Sequence, residues 1–196
     1  MGAEVIRREQ LADDLRYVRQ AVEEHGRSAS LPPSIALVWG VYVLIGYPLL
    51  DVAPAIGGWF LMVGGILGGV LSGWLGARTA RAAGEADRAE DLRHLLHWGG
   101  TFIAILAAIG LGVSAGAQGQ VIGQMITLVV GTAYLLAGAH FDRLFLWLGL
   151  LLLAGAIAVG YLPGYGWTAL GVPLAAGLIV PSLLRRRPAE EGTPNA

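Results

Sequence analysis

The segment Ala77–His97, ARTARAAGEADRAEDLRHLLH, is the one long charged interval inside an otherwise apolar chain. Two apolar runs precede it and four follow it, and each run is about long enough to cross a bilayer. The segment contains four of the 13 arginines. Because loops rich in arginine stay on the cytoplasmic side of a membrane, this segment predicts the orientation of the whole chain.

The composition of the chain is typical of an integral membrane protein. Of its 196 residues, 55% are hydrophobic and 14% are charged, whereas soluble domains carry about 25% charged residues. The formal net charge of −1 argues against a nucleic-acid partner, since such binders usually carry a basic excess. The lack of cysteine excludes disulfides and thiol catalysis. No nucleophile, nucleotide or metalloprotease motif is present, so we expect neither an enzyme nor a cofactor.

We predict an all-α, polytopic membrane protein with six transmembrane helices arranged as three helical hairpins. A helix needs about 20 residues to cross a hydrocarbon core about 30 Å thick. Residues 1–30 are expected to form a cytoplasmic amphipathic helix, residues 31–184 the transmembrane domain, and residues 185–196 a disordered cytoplasmic tail. The spans are predicted at about 34–50, 55–76, 94–114, 119–140, 143–162 and 165–184.

The arginines predict the orientation of these spans. All 13 lie in segments that six crossings place on one side, and the opposite loops, around 51–54, 115–118 and 163–164, contain none. The positive-inside rule therefore predicts a multi-pass protein of a bacterial inner (plasma) membrane with both termini in the cytoplasm. The tryptophans fall near span ends, as an interfacial aromatic belt requires: Trp39, Trp74, Trp98 and Trp147 on the cytoplasmic side, Trp59 and Trp167 on the outer side.

The first and last predicted hairpins share a sequence pattern at a constant offset, with Trp39 matching Trp147 and Gly58-Trp59 matching Gly166-Trp167. The pattern indicates either true repetition of a hairpin or a recurrence of Trp and Gly that belts and packing require. Residues 40–65, GVYVLIGYPLLDVAPAIGGWFLMVGG, resemble small six-span bacterial inner-membrane proteins of the acid-resistance HdeD kind. The resemblance covers one hairpin and assigns no functional residue.

Residues from Glu4 to about Gly26 have the pattern of an amphipathic helix. Its apolar stripe packs on the cytoplasmic face of the bundle or in the lipid interface, or else docks a partner. We therefore expect the lipid bilayer as one partner, and a cytoplasmic protein or a second copy of the chain as another. The residues of this stripe, spaced by four, three and four, are Leu11, Leu15, Val18 and Val22.

The fourth span has the most polar face inside the predicted membrane region. No acidic or basic residue lies in the interior of any span, which disfavours an ion-coupled carrier. Amides and hydroxyls in hydrocarbon need partners, so this face is predicted to lie toward the bundle interior. There it forms interhelical hydrogen bonds or lines a site or path for a small molecule. Its residues are Gln120, Gln124, Thr127, Gly131 and Tyr134.

Three histidines, His94, His97 and His140, are predicted to lie near one cytoplasmic level, with Asp91 and Asp142 close in sequence. Imidazoles and carboxylates on converging helices can hold a divalent metal. Interfacial histidines also occur simply because one polar edge stays hydrated. We predict no metal site and keep these three histidines as the candidate ligands.

Charge patterning is richest in the N-terminal helix and in the predicted 77–97 loop. The sequence therefore favours a non-catalytic scaffold or regulator that acts through these cytoplasmic segments. Two alternatives stay open: a passive channel or carrier for a small neutral solute along the polar face of the fourth span, and a metal- or pH-responsive membrane sensor at the histidines.

Overall fold

A computed structural model describes Arg16 and residues 31–83, 88–140 and 142–184. Contacts divide the chain into two units, Met1–Leu31 and Pro32–Ala196. In the first unit Arg16 is helical and exposed. The stripe of the predicted N-terminal helix, and the predicted tail 185–196, lie outside the described residues; the stripe comprises Leu11, Leu15, Val18 and Val22.

The described part of the second unit is entirely helical apart from its turns. A 3₁₀ helix, Val159–Tyr161, continues the fifth α-helix, and all six spans are long and apolar enough to cross a membrane. The prediction of six helical spans is confirmed, and the described fold is consistent with a multi-pass membrane protein. The helices are α1 (Pro33–Val52), α2 (Pro54–Ala83), α3 (Arg88–Ser114), α4 (Gly119–His140), α5 (Leu144–Ala158) and α6 (Gly166–Leu184).

The helices α2 and α3 extend well beyond the predicted spans. α2 continues to Ala83 and α3 begins at Arg88, so most of the segment 77–97, which was expected to be a loop, is helical in the described residues. Hydropathy marks where side chains turn polar, not where a helix ends. The alanines, arginines and glutamate of this segment are strong helix formers, which carry both helices past the apolar region.

The ends of the helices follow local backbone rules. α1 begins with Pro33 at its first position, where the missing N–H removes no intrahelical bond. α3 ends in a Schellman motif, in which Gly116 has a φ of 66°. The backbone N–H of Ala117 donates to Gly112 O at 2.9 Å, and that of Gly116 to Val113 O at 3.0 Å. These bonds satisfy the carbonyls of the last turn and allow the chain to reverse into α4.

Neighbouring helices of the bundle are antiparallel and follow the order α2, α1, α6, α5, α4, α3. The most extensive contacts join α1 to α6 and α4 to α5, whereas α5 and α6 touch less extensively. On α1, Gly40 lies against Ile179 and Tyr47 against Gly171, which fixes the antiparallel register with α6. The arrangement as three hairpins is not confirmed, because two strong contacts join helices of different predicted hairpins.

The buried core lies among the four central helices. The candidate span of α5 and that of α6 are each 39% buried, compared with 11% for α2 and for α3. The largest fully buried side chains are Leu152 on α5 and Leu178 on α6. α2 and α3 therefore form the two flanks, and each packs mainly on one neighbour.

Candidate functional site

The carboxylate of Asp51 caps the first turn of α6 from the end of α1. One oxygen accepts a hydrogen bond from the backbone N–H of Trp167 at 3.2 Å, and the other accepts from the Thr168 N–H at 2.7 Å. The Thr168 hydroxyl also donates to that second oxygen, at 2.7 Å. A helix N-terminus has unsatisfied N–H groups and a positive partial charge, both of which favour a carboxylate. Asp51 thus joins the first span to the last.

Two polar residues of the predicted α4 face are held inside the chain. Gln124 Nε2 donates to the Ala156 carbonyl of α5 at 2.7 Å, and this amide nitrogen lies 3.2 Å from where a Cβ of Gly160 would stand. Thr127 is 3% exposed, and its hydroxyl donates to the Gly123 carbonyl at 2.8 Å. Both groups meet the requirement that polar atoms in hydrocarbon find partners.

The other residues of this face lie in different surroundings. Gln120 is exposed at the start of α4, whereas Gly131 is buried against Leu152 and Leu153 of α5. Tyr134 belongs to an aromatic cluster with Trp98 and Phe145, with ring centroids 5.8 and 5.1 Å away. The face therefore packs against α5 along most of its length, and Gln120 is its one exposed residue, whereas Gln124 and Tyr134 are half-buried.

A second polar and aromatic cluster joins α1 to α2. Trp39 Nε1 donates to the Ser72 hydroxyl at 2.9 Å. Tyr42 stacks on Phe60 with centroids 5.7 Å apart, and its hydroxyl donates to the Leu61 carbonyl. These bonds attach the flanking helix α2 to the centre of the bundle.

The tryptophans differ in exposure, and Trp39 and Trp98 are half-buried. Trp59, Trp74 and Trp147 are 66%, 56% and 73% exposed, which suits side chains at a membrane surface. Trp167 is 7% exposed, and it packs edge-on against Tyr47 and over Gly123. The expected belt role is therefore wrong for Trp167, whose ring fills the space that Gly123 leaves.

The histidines show no metal-binding arrangement in the described part of the chain. His94 and His97 are half-buried on α3, and the His97 ring meets the Trp98 ring edge-on with centroids 4.9 Å apart. The side chain of His140 lies outside the described residues, so the three candidate ligands are not tested as a set. His97 instead lines an open groove between α3 and α4.

Two structural residues were missed by the sequence analysis. The outer turn was noted only for its lack of arginine, although Asp51 within it makes three hydrogen bonds to α6. The available signal was the position of Asp51, an acidic residue at the end of an apolar run with no basic residue nearby in the sequence. The burial of Trp167 has no signal in its local sequence, because it depends on Gly123 of another helix.

Comparison of the chain with protein-family models, with curated proteins and with solved structures returns no match. Its function is therefore argued from the geometry alone. The polar groups described above hold helices together, and none of them forms a nucleophile–base pair.

Proposed function

We propose that the protein is a non-catalytic membrane scaffold or regulator that acts through its cytoplasmic segments. The observation that carries this proposal is the engagement of polar groups within the bundle and at its helix ends. Gln124 bonds the Ala156 carbonyl, Trp39 bonds Ser72, and Asp51 at the end of α1 bonds the α6 N-terminus. Polar side chains that bond neighbouring helices stabilise the helical bundle. The charged segments around it are then the parts of the chain best suited to recognise a partner.

The proposal includes an orientation in the bacterial inner membrane. All 13 arginines fall in segments that six crossings place on one side, which supports cytoplasmic termini under the positive-inside rule. The recognition surface comprises the N-terminal stripe and the charged helix ends that flank residues 84–87. The partner is a cytoplasmic protein or a second copy of the chain.

The two alternative functions have weaker support. A solute path along α4 would need Gln124 and Thr127 to face a passage, but their donors are bonded to Ala156 and Gly123. A sensor at the histidines would need His94, His97 and His140 to converge, and the described residues contain no group of three side chains that could hold a metal ion. Reconstituted flux of neutral solutes, or metal bound in proportion to protein, would favour one of these alternatives.

The test is crosslinked capture from cells that express the full chain or a variant lacking residues 1–27. We expect a partner, or a second copy, that the full chain captures and the truncated chain does not. A matched pair of variants separates the stripe from the rest of the helix: Leu15→Gln with Val18→Gln should abolish capture, while Asp13→Asn, on the opposite face of the predicted helix, should preserve it. Equal capture by all variants would contradict the proposal.

A further inference from the structure

An open groove of about 480 Å³ runs between α3 and α4 on the lateral surface of the bundle. Its volume falls within the range of about 300–1,000 Å³ typical of small-molecule sites. The α3 wall comprises His97, Gly100, Thr101 and Ala104, and the α4 wall comprises aliphatic side chains together with Thr132. Along α3 the groove is about 10 Å long, at 1.5 Å per helical residue.

The interior of the groove is apolar despite its two threonines. The Thr101 hydroxyl donates to the His97 carbonyl at 2.8 Å, and the Thr132 hydroxyl donates to the Leu128 carbonyl at 2.9 Å. Both hydroxyls are therefore engaged by the backbone of their own helix. Gly100 has no atom within 4 Å of the place where a Cβ would stand, so the missing side chain leaves the groove open there.

One end of the groove leads to a positive charge. Arg93 is exposed and lies one helical turn before His97, on the same stripe of α3 that continues through Gly100 and Ala104. Basic residues at the entrance of clefts between membrane helices bind lipid headgroups. Glu90 and Asp91 precede Arg93 along α3, so the recognition of an anionic headgroup depends on the position of Arg93 on the groove stripe and not on a net positive charge of the segment.

The surface around the groove is suited to contact with lipid. On α3 the flanking side chains Leu95, Leu96 and Ile103 are 69%, 66% and 68% exposed. In a bilayer such side chains are covered by acyl chains. A groove that opens toward the bilayer between them is accessible to the same acyl chains. The acyl chain of a lipid matches the apolar walls of the groove, and its phosphate matches the guanidinium at the end of the groove.

We propose that this groove binds one phospholipid, with an acyl chain along Gly100 and Ala104 and an anionic headgroup at Arg93. Such a lipid fills the gap on the weakly covered side of α3. A second copy of the chain is the competing occupant, and the experiment below distinguishes the two.

The test uses the full chain reconstituted in phosphatidylcholine vesicles that contain phosphatidylglycerol with a photoactivatable group in its acyl chain. Peptide mapping after illumination should find labels on both walls of the groove. Gly100→Leu fills the groove and should remove those labels. Gly110→Leu is the matched control, because Gly110 is also on α3 with no atom within 4 Å of its Cβ position but lies outside the groove. The labelling of α2 in the same sample is the internal standard against which labelling of the groove is measured.

The headgroup part is tested by lipid retention in native mass spectrometry. Arg93→Gln should reduce the preference for phosphatidylglycerol over phosphatidylcholine about fivefold, the value of one guanidinium near an anionic surface. Arg81→Gln, an exposed arginine on α2, should leave the preference unchanged. Equal labelling of the Gly100→Leu and Gly110→Leu proteins, an unchanged preference in Arg93→Gln, or a crosslink between two copies through the groove would each overturn the proposal.

Discussion

Asp51 joins parts of the chain that are far apart in the sequence. Its carboxylate replaces a local N-cap for α6, because the turn before α6 provides no acidic side chain of its own. The three bonds link residues that are 116 and 117 positions apart. A charged acceptor bonded to helix N–H groups is stronger than a neutral one. We therefore expect this side chain to strengthen the outer end of the α1–α6 junction.

Substitution of Asp51 by alanine should lower the free energy of unfolding by about 1–2 kcal/mol, the usual cost of removing an N-cap side chain. Thermal unfolding of the purified protein in detergent measures the effect. Asp51→Asn keeps one acceptor oxygen and should show a smaller loss. A double-mutant cycle with Thr168→Val isolates the shared bond. Unfolding of Asp51→Ala at the wild-type temperature would contradict the capping role.

Replacement of Gln124 by leucine should cost about 0.6–1.7 kcal/mol, the range that interhelical hydrogen bonds contribute in membrane proteins. The reason is the loss of its bond to the Ala156 carbonyl. Gln120→Leu is the matched control, because Gln120 lies one turn away on the same helix and is exposed. Chemical unfolding in mixed micelles compares the two. If Gln120→Leu proved the more damaging change, the assignment of Gln124 to the α4–α5 contact would fail.

At the scale of helices, close backbone approach decides which elements pair. A Cβ on Gly171 would lie 2.5 Å from Tyr47 Cβ, so α1 and α6 can meet at this distance only with glycine there. Gly149 of α5 similarly approaches the backbone of α4, where its Cβ would lie 2.7 Å from Leu135 N and 2.9 Å from Gly131 O. These two contacts belong to the two most extensive helix pairs of the bundle.

Gly171→Ala should destabilise the protein by about 1–3 kcal/mol, the typical cost of overpacking a tight contact. Gly69→Ala on α2 is the control, since no atom lies within 4 Å of its Cβ position and alanine favours a helix over glycine. We expect Gly69→Ala to be neutral or slightly stabilising in the same detergent melt. A similar loss in both variants would contradict the assignment of the effect to the contact with Tyr47, because helix propensity alone favours alanine over glycine at both positions.

Sequence patterns predicted the helices better than their partners. The apolar runs correctly gave the number of helices long enough to span a membrane. They did not give the contact of α1 with α6, because the pairing depends on which glycines meet which side chains of a distant helix. Gln124 was predicted on an inward face because polar groups in hydrocarbon need partners. Trp167 was wrongly assigned to the surface because its burial depends on Gly123.

For the whole molecule, the helices differ in how much of their surface is buried by other helices of the bundle. The four central helices carry nearly all the described core, while α2 and α3 present large exposed apolar faces. In a bilayer these faces are covered by lipid, whereas a soluble protein would have to bury them against other parts of the chain. This arrangement requires the chain to cross the membrane six times.

The most direct test of that claim is labelling of single-cysteine variants in intact cells, which the natural lack of cysteine makes clean. Gln118→Cys lies in the turn between α3 and α4, whereas Ala86→Cys lies between α2 and α3 and Thr193→Cys near the C-terminus. A membrane-impermeant maleimide should label Gln118→Cys from outside, and should label the other two only after the membrane is opened. Labelling of Ala86→Cys or Thr193→Cys in intact cells would contradict the proposed topology.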